Sequence, residues 1–583
     1  MEQRYNPMNV KPSAQSAPAA KEPTIAGEIF LRALAEHGVD FFFANPGTDF
    51  PPIVEAYSRA REGSNSKVPR PVLVPHENLA VAMAHGAYLM TGRAQAVMVH
   101  VNVGTANTIN NLTNMSRDRI PLFLAAGRTP VTETGNFASR NRSIHWAQEM
   151  FDQAGMVREL VKWDYELRVP EQVGNVVARA YEAAMTSPMG PVYLILPREP
   201  LSANVAEPLA PSGPRAIPAP PHPDPKSIET LTAWIAAAEK PLIVTANSGR
   251  DPRAVELLAR LAERWAIPVA MHAPRYMCLP TNHPMHFGFD PGAFVGEADL
   301  IIALESDVPW IPSAIEPKST CRVAHIGEDP MFLRYPMRSF RSDLAITSTS
   351  AAALDALDAA LERAAPDKAR IEARRGRIHE RNKARRAQFA KQAEGGDEKI
   401  TKAYLSKCVA EVIGLDAILV NEYWVDQDQC TREKPGTFFG TSPAGGLGWG
   451  FGCALGVKIA APERFVVAAL GDGSYIFNNP TACHWVSEAF GLPVLTIISN
   501  NSRYGAVRGA TLSMFDKGAA GRDDGRFLAD FPTSPAYEEI VKAHGGHGER
   551  VEHPKDLPGA LARARDVVLK EKRQALLNVI CPY

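Results

Sequence analysis

Short apolar runs rich in β-branched residues alternate with helical patterns along this chain, and that alternation narrows the folds open to it. The runs include Ala96–Val101, Pro121–Ala125, Val192–Leu196, Leu242–Thr245, Leu300–Leu304, Ile418–Val420, Phe465–Leu470, Val494–Ile498 and Leu576–Ile580. Helix-like stretches such as Glu28–His37, Asn78–Met90 and Ala254–Trp265 lie between such runs. Strands of this kind, separated by helices, form parallel sheets covered on both faces. The expected fold class is α/β, built from Rossmann-like parallel-sheet domains.

Two punctuations divide the chain. Eight prolines between Pro208 and Pro225 read as a stiff, extended connector. An Arg-rich run from Asp367 to Glu398 reads as a second connector, a solvated helix rather than a nucleic-acid site. A chain of 583 residues exceeds one core. The expected layout is a flexible arm over 1–24, units over 25–205, 226–365 and 401–583, and linkers over 206–225 and 366–400. The first and third units could share a fold, which sequence alone leaves open.

Composition excludes several classes. Lys plus Arg number 63 and Asp plus Glu 64, so no net field favours nucleic acid or an anionic membrane. The seven cysteines show no metal-ligand spacing and read as buried thiols of a reducing compartment. No signal-peptide pattern opens the chain, and Pro443–Val457 is too short and Gly-rich to cross a bilayer. The cytoplasm is the expected location.

The most specific motif lies in the third unit. The run Phe465–Leu470 leads into Gly471-Asp472-Gly473-Ser474, and Val494–Ile498 leads through Ser499 into Asn500-Asn501, with 26 residues between Gly473 and Asn500. Parallel strands joined by one crossover bring such ends side by side, where ligands bind in open α/β sheets. Asp472 and Asn501 then offer hard oxygen atoms, which suit magnesium shared with phosphate. Gly471 and Gly473 let backbone approach phosphate oxygens.

This arrangement resembles the thiamine-diphosphate-binding signature of the acetolactate synthase and benzoylformate decarboxylase superfamily. The resemblance spans about residues 25 to 583 and implies pyrimidine-binding, central and diphosphate-binding domains in that order. It implies magnesium on Asp472, Asn501 and the backbone carbonyl of Arg503. Ser474, Tyr504, Gly505 and Ala506 join Gly471 and Gly473 around the cofactor.

In the first unit, Val74-Pro75-His76-Glu77-Asn78 precedes a small-residue helix. By itself Glu77 reads as a helix-terminal glutamate. The segment resembles the superfamily's HE motif, whose glutamate bonds N1′ of the aminopyrimidine and favours the 4′-imino tautomer that deprotonates C2. The cofactor then serves as the electron sink for the carbanion and enamine. In Ala444-Gly445-Gly446-Leu447-Gly448-Trp449-Gly450, the resemblance makes Leu447 the wedge under the bent cofactor and the Gly445 carbonyl a partner of its amino group. It also places Glu77 and the diphosphate site on different subunits of a homodimer or homotetramer.

His100, 23 residues after Glu77, matches the decarboxylase histidine that handles protons, a task suited to imidazole. Thr48, in Asn45-Pro46-Gly47-Thr48, stands where those enzymes place a serine that contacts substrate carboxylate. Their second histidine comes from the central domain; here Phe287 fills that position beside His286, which puts a second proton-transfer residue in doubt. Tyr423 and Trp424 stand where smaller residues are common, either shaping a pocket or packing. The central unit lacks GxGxxG, and no FAD is expected there. The implied activity is decarboxylation of a small 2-oxo acid, with carboligation to a second carbonyl as a further outcome. An acetolactate synthase, another superfamily lyase or transferase, and a non-catalytic cofactor-binding homologue are the rivals.

Overall fold

A computed structural model describes residues 23–62, 67–206, 215–364, 367–395, 398–522 and 527–582. The expected N-terminal arm, except its last two residues, and Pro208 to Pro214 of the proline-rich connector lie outside them.

The strands form three sheets, and every strand pairing in them is parallel. The first contains β1 (Phe41–Ala44), β2 (Arg70–Leu73), β3 (Gln95–Val99), β4 (Leu122–Arg128), β5 (Asp164–Glu166) and β6 (Pro191–Pro197), in the order β2-β1-β3-β4-β6-β5. The second contains β7 (Pro241–Thr245), β8 (Val269–Met271), β9 (Leu300–Leu304), β10 (Arg322–Gly327) and β11 (Leu344–Thr347), ordered β11-β10-β9-β7-β8. The third contains β12 (Ile418–Glu422), β13 (Phe438–Gly440), β14 (Val466–Gly471), β15 (Leu495–Asn500), β16 (His547–Val551) and β17 (Ala575–Ile580), ordered β13-β12-β14-β15-β17-β16. The first and third sheets therefore share one strand order, which answers the question left open by the sequence. In each, the order reverses beside the sheet's first strand. Loops there splay apart and leave a crevice at the carboxyl edge.

Helix-to-helix packing joins the first sheet to the third. The helix Glu77–Thr91 carries Ala80, Ala82, Ala84, Gly86 and Ala87, and the helix Gly450–Ala460 carries Gly452, Cys453, Ala454 and Gly456. A Cβ on Gly86 would sit 2.0 Å from the carbonyl oxygen of Cys453, and one on Gly456 would sit 2.0 Å from that of Met83. The backbones touch directly, and only glycine fits at these two crossings. Buried charge ties in the central sheet. Arg275 pairs with Asp307 at 2.8 Å and lies 3.7 Å from Asp118, while its carbonyl accepts from Gly440 N at 2.9 Å. One central-domain residue thus touches both neighbours, and removing it would strand buried carboxylates.

The Arg-rich connector is a helix, Lys368–Gln392, but it is not solvated all round. Ile371, Arg374, Ile378 and Asn382 form a buried stripe, and Arg374 donates to the carbonyl of Ala238 at 3.0 Å. All seven cysteines are free and buried. Among the described residues no helix is long and apolar enough to cross a membrane.

Two glycines test this packing. Gly456→Val should lower the unfolding temperature, with overpacking costing about 1–3 kcal/mol or more. Gly376→Ala, on the exposed face of the connector helix with nothing within 4 Å, should raise stability by up to about 1 kcal/mol. Thermal unfolding that shifts both variants the same way would contradict the assigned contacts.

Candidate active site

The carboxyl edge of the first sheet gathers Thr48 and Asp49 after β1, Glu77 after β2, His100 after β3 and the segment Thr129–Gln148 after β4. Asn45 ties these loops together, donating from its side chain to Val74 O at 3.0 Å and from its backbone to Met98 O at 3.0 Å. His100 Nδ1 lies 2.6 Å from Asp49 Oδ1, and Asp49 is buried. Two glycines make room for the pair. A Cβ on Gly47 would meet His100 Nδ1 at 2.1 Å, and one on Gly127 would meet Asp49 Oδ2 at 1.9 Å. The Asp49 hydrogen bond holds His100 above the usual imidazole range; burial opposes this, and the charges of Asp49 and Glu77 add to it. Glu77 is buried and accepts a hydrogen bond from Asn107 Nδ2 at 3.1 Å.

The third sheet presents Asp472 and Asn501 on its own edge. Gly471 of β14 pairs with Ser499 of β15, so Asp472 and Asn501 leave adjacent strands together. Asp472 Oδ1 accepts from Gly473 N at 3.0 Å, whereas its Oδ2 is buried with no hydrogen-bond partner. Burial pushes this carboxyl up to about 6, and the backbone N–H groups of Gly473, Ser502 and Arg503 offset only part of that. An ionised carboxylate oxygen in such a place calls for a cation, and Asp472 with neutral oxygens nearby suits a hard divalent ion. Arg503 N donates to Asn501 Oδ1 at 3.1 Å, which turns the loop back on itself. Gly473 lies against the ring of Tyr504, where a Cβ would meet Cε1 at 2.8 Å. Tyr504 stands at the start of the helix Gly505–Met514, and Gly505 and Ala506 are exposed at that end. Ser474 is buried, and its carbonyl accepts from Asn478.

Asparagines on the helix Val101–Arg117 bring the two edges together. Asn107 holds Glu77, and Asn110, three residues along the same face, donates to Leu447 O at 2.7 Å. Asn111 donates to Gly448 O at 3.1 Å, and Asn114 exchanges two hydrogen bonds with the backbone of Gly446 at 2.8 and 3.0 Å. Gly445 and Gly448 adopt φ of +66° and +83°, a conformation that strains any other residue type. Glu77 and the Leu447 carbonyl are thus bonded to positions 107 and 110 of one helix within a single chain.

Glu422 is a site residue that the motif reading passed over. It is wholly buried at the end of β12, and its two carboxylate oxygens take four donors. Gly448 N and Trp449 N reach Oε1 at 2.8 and 3.4 Å, while Gly450 N and Asn478 Nδ2 reach Oε2 at 2.8 and 3.0 Å. One carboxylate therefore fixes the glycine-rich loop, the start of the next helix and the end of the Asp472 helix. Asp49, His145 and Gln148 were missed as well. Tyr423, next to Glu422, is half-exposed at φ +83° with its hydroxyl near Gly445, so it shapes the loop, while Trp424 packs in the core. His286 and Phe287 are buried inside the central domain, and burial takes His286 down to about 3, so it is a neutral core residue.

Models of the thiamine pyrophosphate enzyme N-terminal binding domain, central domain and C-terminal binding domain match residues 25–156, 228–357 and 421–579. The chain belongs to the thiamine-diphosphate-dependent enzymes. Within this superfamily it is 24% identical over 576 residues to the acetolactate synthase large subunit of Lactococcus lactis, covering 96% of this chain and 93% of that one. It is 26% identical over 510 residues to benzoylformate decarboxylase of Pseudomonas aeruginosa, covering 82% and 85%. The fold is similar to that of the Rhodococcus jostii RHA1 thiamine-diphosphate-dependent 4-hydroxybenzoylformate decarboxylase, with a TM-score of 0.76, 23% identity and coverage of 96% and 99%. The fold class and the superfamily expected from sequence both hold.

Glu422→Gln tests the clamp without changing its shape. An amide nitrogen cannot accept, so at least one pair of donors would lose its partner inside the core. Thiamine diphosphate affinity should fall about tenfold or more. Unchanged affinity in a calorimetric titration would show that the loop does not depend on this carboxylate.

Proposed function

We propose that this enzyme decarboxylates a 2-oxo acid and either releases the product as an aldehyde or joins it to a second carbonyl. The observation that carries this reading is the His100–Asp49 pair beside Thr48 and Glu77, in which a buried aspartate favours the protonated imidazole. Bound thiamine diphosphate supplies the electron sink for such a reaction. Magnesium would be held by Asp472, Asn501 and the backbone carbonyl of Arg503, a set supported by the unpartnered Oδ2 of Asp472. Gly471, Gly473, Ser474, Tyr504, Gly505 and Ala506 would surround the diphosphate. Leu447 would support the rings, and the Gly445 carbonyl would accept from the amino group. Glu77 would hold a proton at the ring nitrogen, and Asn107 would orient its carboxylate. His100, held toward its protonated form by Asp49, would donate the proton that the reacting carbon takes up before the aldehyde leaves. Thr48 would bind the substrate carboxylate.

The assembly proposed is a homodimer or homotetramer. Val131, Phe137, Ile144, Trp146 and Phe151 on the first domain, and Phe477, Val507, Met514 and Phe515 on the third, expose large apolar side chains that a second subunit could cover. The chain already holds Glu77 and Leu447 close together by itself, so a site crossing between subunits needs its own test. Glu77→Gln should bind cofactor but lose turnover by about 100-fold or more. Mixed with Asp472→Ala subunits, it should regain activity if sites cross between chains and stay inactive if each chain holds its own.

The reaction is tested with pyruvate, benzoylformate and longer 2-oxo acids, each with and without aldehyde acceptors, by measuring carbon dioxide and products. Carbon dioxide and an aldehyde from at least one acid are expected. Acetolactate from pyruvate as the sole product would favour a synthase, and no carbon dioxide from any acid would reject the reading. The pH profile adds a signed check. His100 must stay protonated, so kcat should fall as pH rises through its raised value, and Asp49→Asn should move that fall to lower pH. An alkaline limb unmoved in Asp49→Asn would remove His100 from the proton transfer.

A further inference from the structure

Between Asn141 and Ala147 the chain is exposed except at one residue, His145. Its neighbours Ile144 and Trp146 turn outward while its imidazole turns inward. His145 Nδ1 accepts from Asn141 N at 3.3 Å, so the ring proton sits on Nε2, which lies 3.4 Å from Thr48 Oγ1. Thr48 Oγ1 is then the acceptor, and among the described residues no other side chain takes its hydroxyl hydrogen. Protonating the ring would cost the Asn141 bond. Burial, then the charges of Arg198, Arg142, Arg140 and His100, hold His145 below the usual imidazole range. This ring is a neutral donor.

The segment carrying His145 is locked against Thr48. Arg198 donates to Thr48 O at 3.3 Å and to Ala138 O at 2.6 Å, and also bonds Ser139 O, so one guanidinium grips both sides. At the far end, Glu149 is held by Arg128 at 2.6 Å, by Arg140 and by the Thr129 hydroxyl. Gln148 Nε2 reaches to 3.4 Å from His100 Nε2, so the segment that carries His145 also touches His100.

We propose that His145 is a positioning residue for substrate binding: its Nε2–H holds the Thr48 hydroxyl so that the hydroxyl proton points to the carboxylate of the 2-oxo acid. This rests on the decarboxylase reading above and deepens it by dividing the work. His100 handles the proton, and the His145–Thr48 pair orients the carboxylate, with the nearby arginines adding attraction.

The test uses the enzyme loaded with thiamine diphosphate and magnesium. Lactate and mandelate carry the carboxylate but no carbonyl, so calorimetry on them reads carboxylate binding without turnover. For whichever acid wild type binds, His145→Phe should raise Kd about tenfold, and His145→Gln, whose amide can still donate to Thr48, should restore most of it. With the matching 2-oxo acid, His145→Phe should raise KM by a similar factor and change kcat much less. Equal Kd in wild type and His145→Phe would overturn the proposal, as would a glutamine variant no better than phenylalanine. Wild type that binds neither hydroxy acid and releases no carbon dioxide from any 2-oxo acid would overturn both this proposal and the decarboxylase reading. Turnover in wild type with unchanged binding in His145→Phe would overturn this one alone.

Discussion

Everything in this enzyme that faces a ligand depends on two helices whose backbones touch. Gly86 and Gly456 let the helices Glu77–Thr91 and Gly450–Ala460 cross with carbonyl oxygens where side chains would otherwise stand. Each helix starts at the carboxyl edge of its own sheet, so the crossing faces those two edges toward one another. Sheets of identical strand order then offer complementary goods: carboxylate and imidazole from the first, and glycine-rich backbone and a buried aspartate from the third. A Cβ at either crossing would stand 2.0 Å from a carbonyl oxygen, so the helices would have to move apart.

Polar contacts refine what the crossing makes. Asn107, Asn110, Asn111 and Asn114 descend one helix face and hold Glu77 and the Gly446–Gly448 backbone in register. From the opposite side Glu422 grips the same loop with both oxygens and ties it to Asn478. Where these contacts are buried, at Asn111, Asn114 and Glu422, they rigidify the site. The one conspicuous unsatisfied carboxylate oxygen among these residues is Asp472 Oδ2, where the metal is proposed.

The strand–helix alternation made the α/β class legible, because a strand buried on both faces is written as a continuous apolar run. The Gly471-Asp472-Gly473 and Asn500-Asn501 pair was legible because one crossover connects them. The His100–Asp49 pair was half visible: the imidazole stood out, while Asp49 looked like a turn residue, and only the fold closes the 51-residue gap between them. His145 was harder still, since it meets Thr48 from 97 residues away, on a helix of one turn too short to show a period. Glu422 looked like the polar end of an apolar strand, and its four donors come from segments 26 to 56 residues downstream. A signal existed for Asp49, in the glycines at 47 and 127 that clear space for a bulky polar pair, but it acquires meaning only in three dimensions. The Arg-rich connector misled in another way, because charge at most positions hides the stripe of Ile371, Arg374, Ile378 and Asn382 that docks.

The central claim is that Glu77 and Asp472, one from each outer domain, serve a single cofactor. A diffraction structure of the enzyme with thiamine diphosphate and magnesium measures this directly. The account predicts a Glu77 carboxylate oxygen within about 2.6–3.2 Å of the aminopyrimidine nitrogen of a cofactor whose metal ion is bound by an Asp472 side chain. A cofactor whose metal sits away from Asp472, or whose ring lies beyond reach of any Glu77 in the assembly, would contradict it.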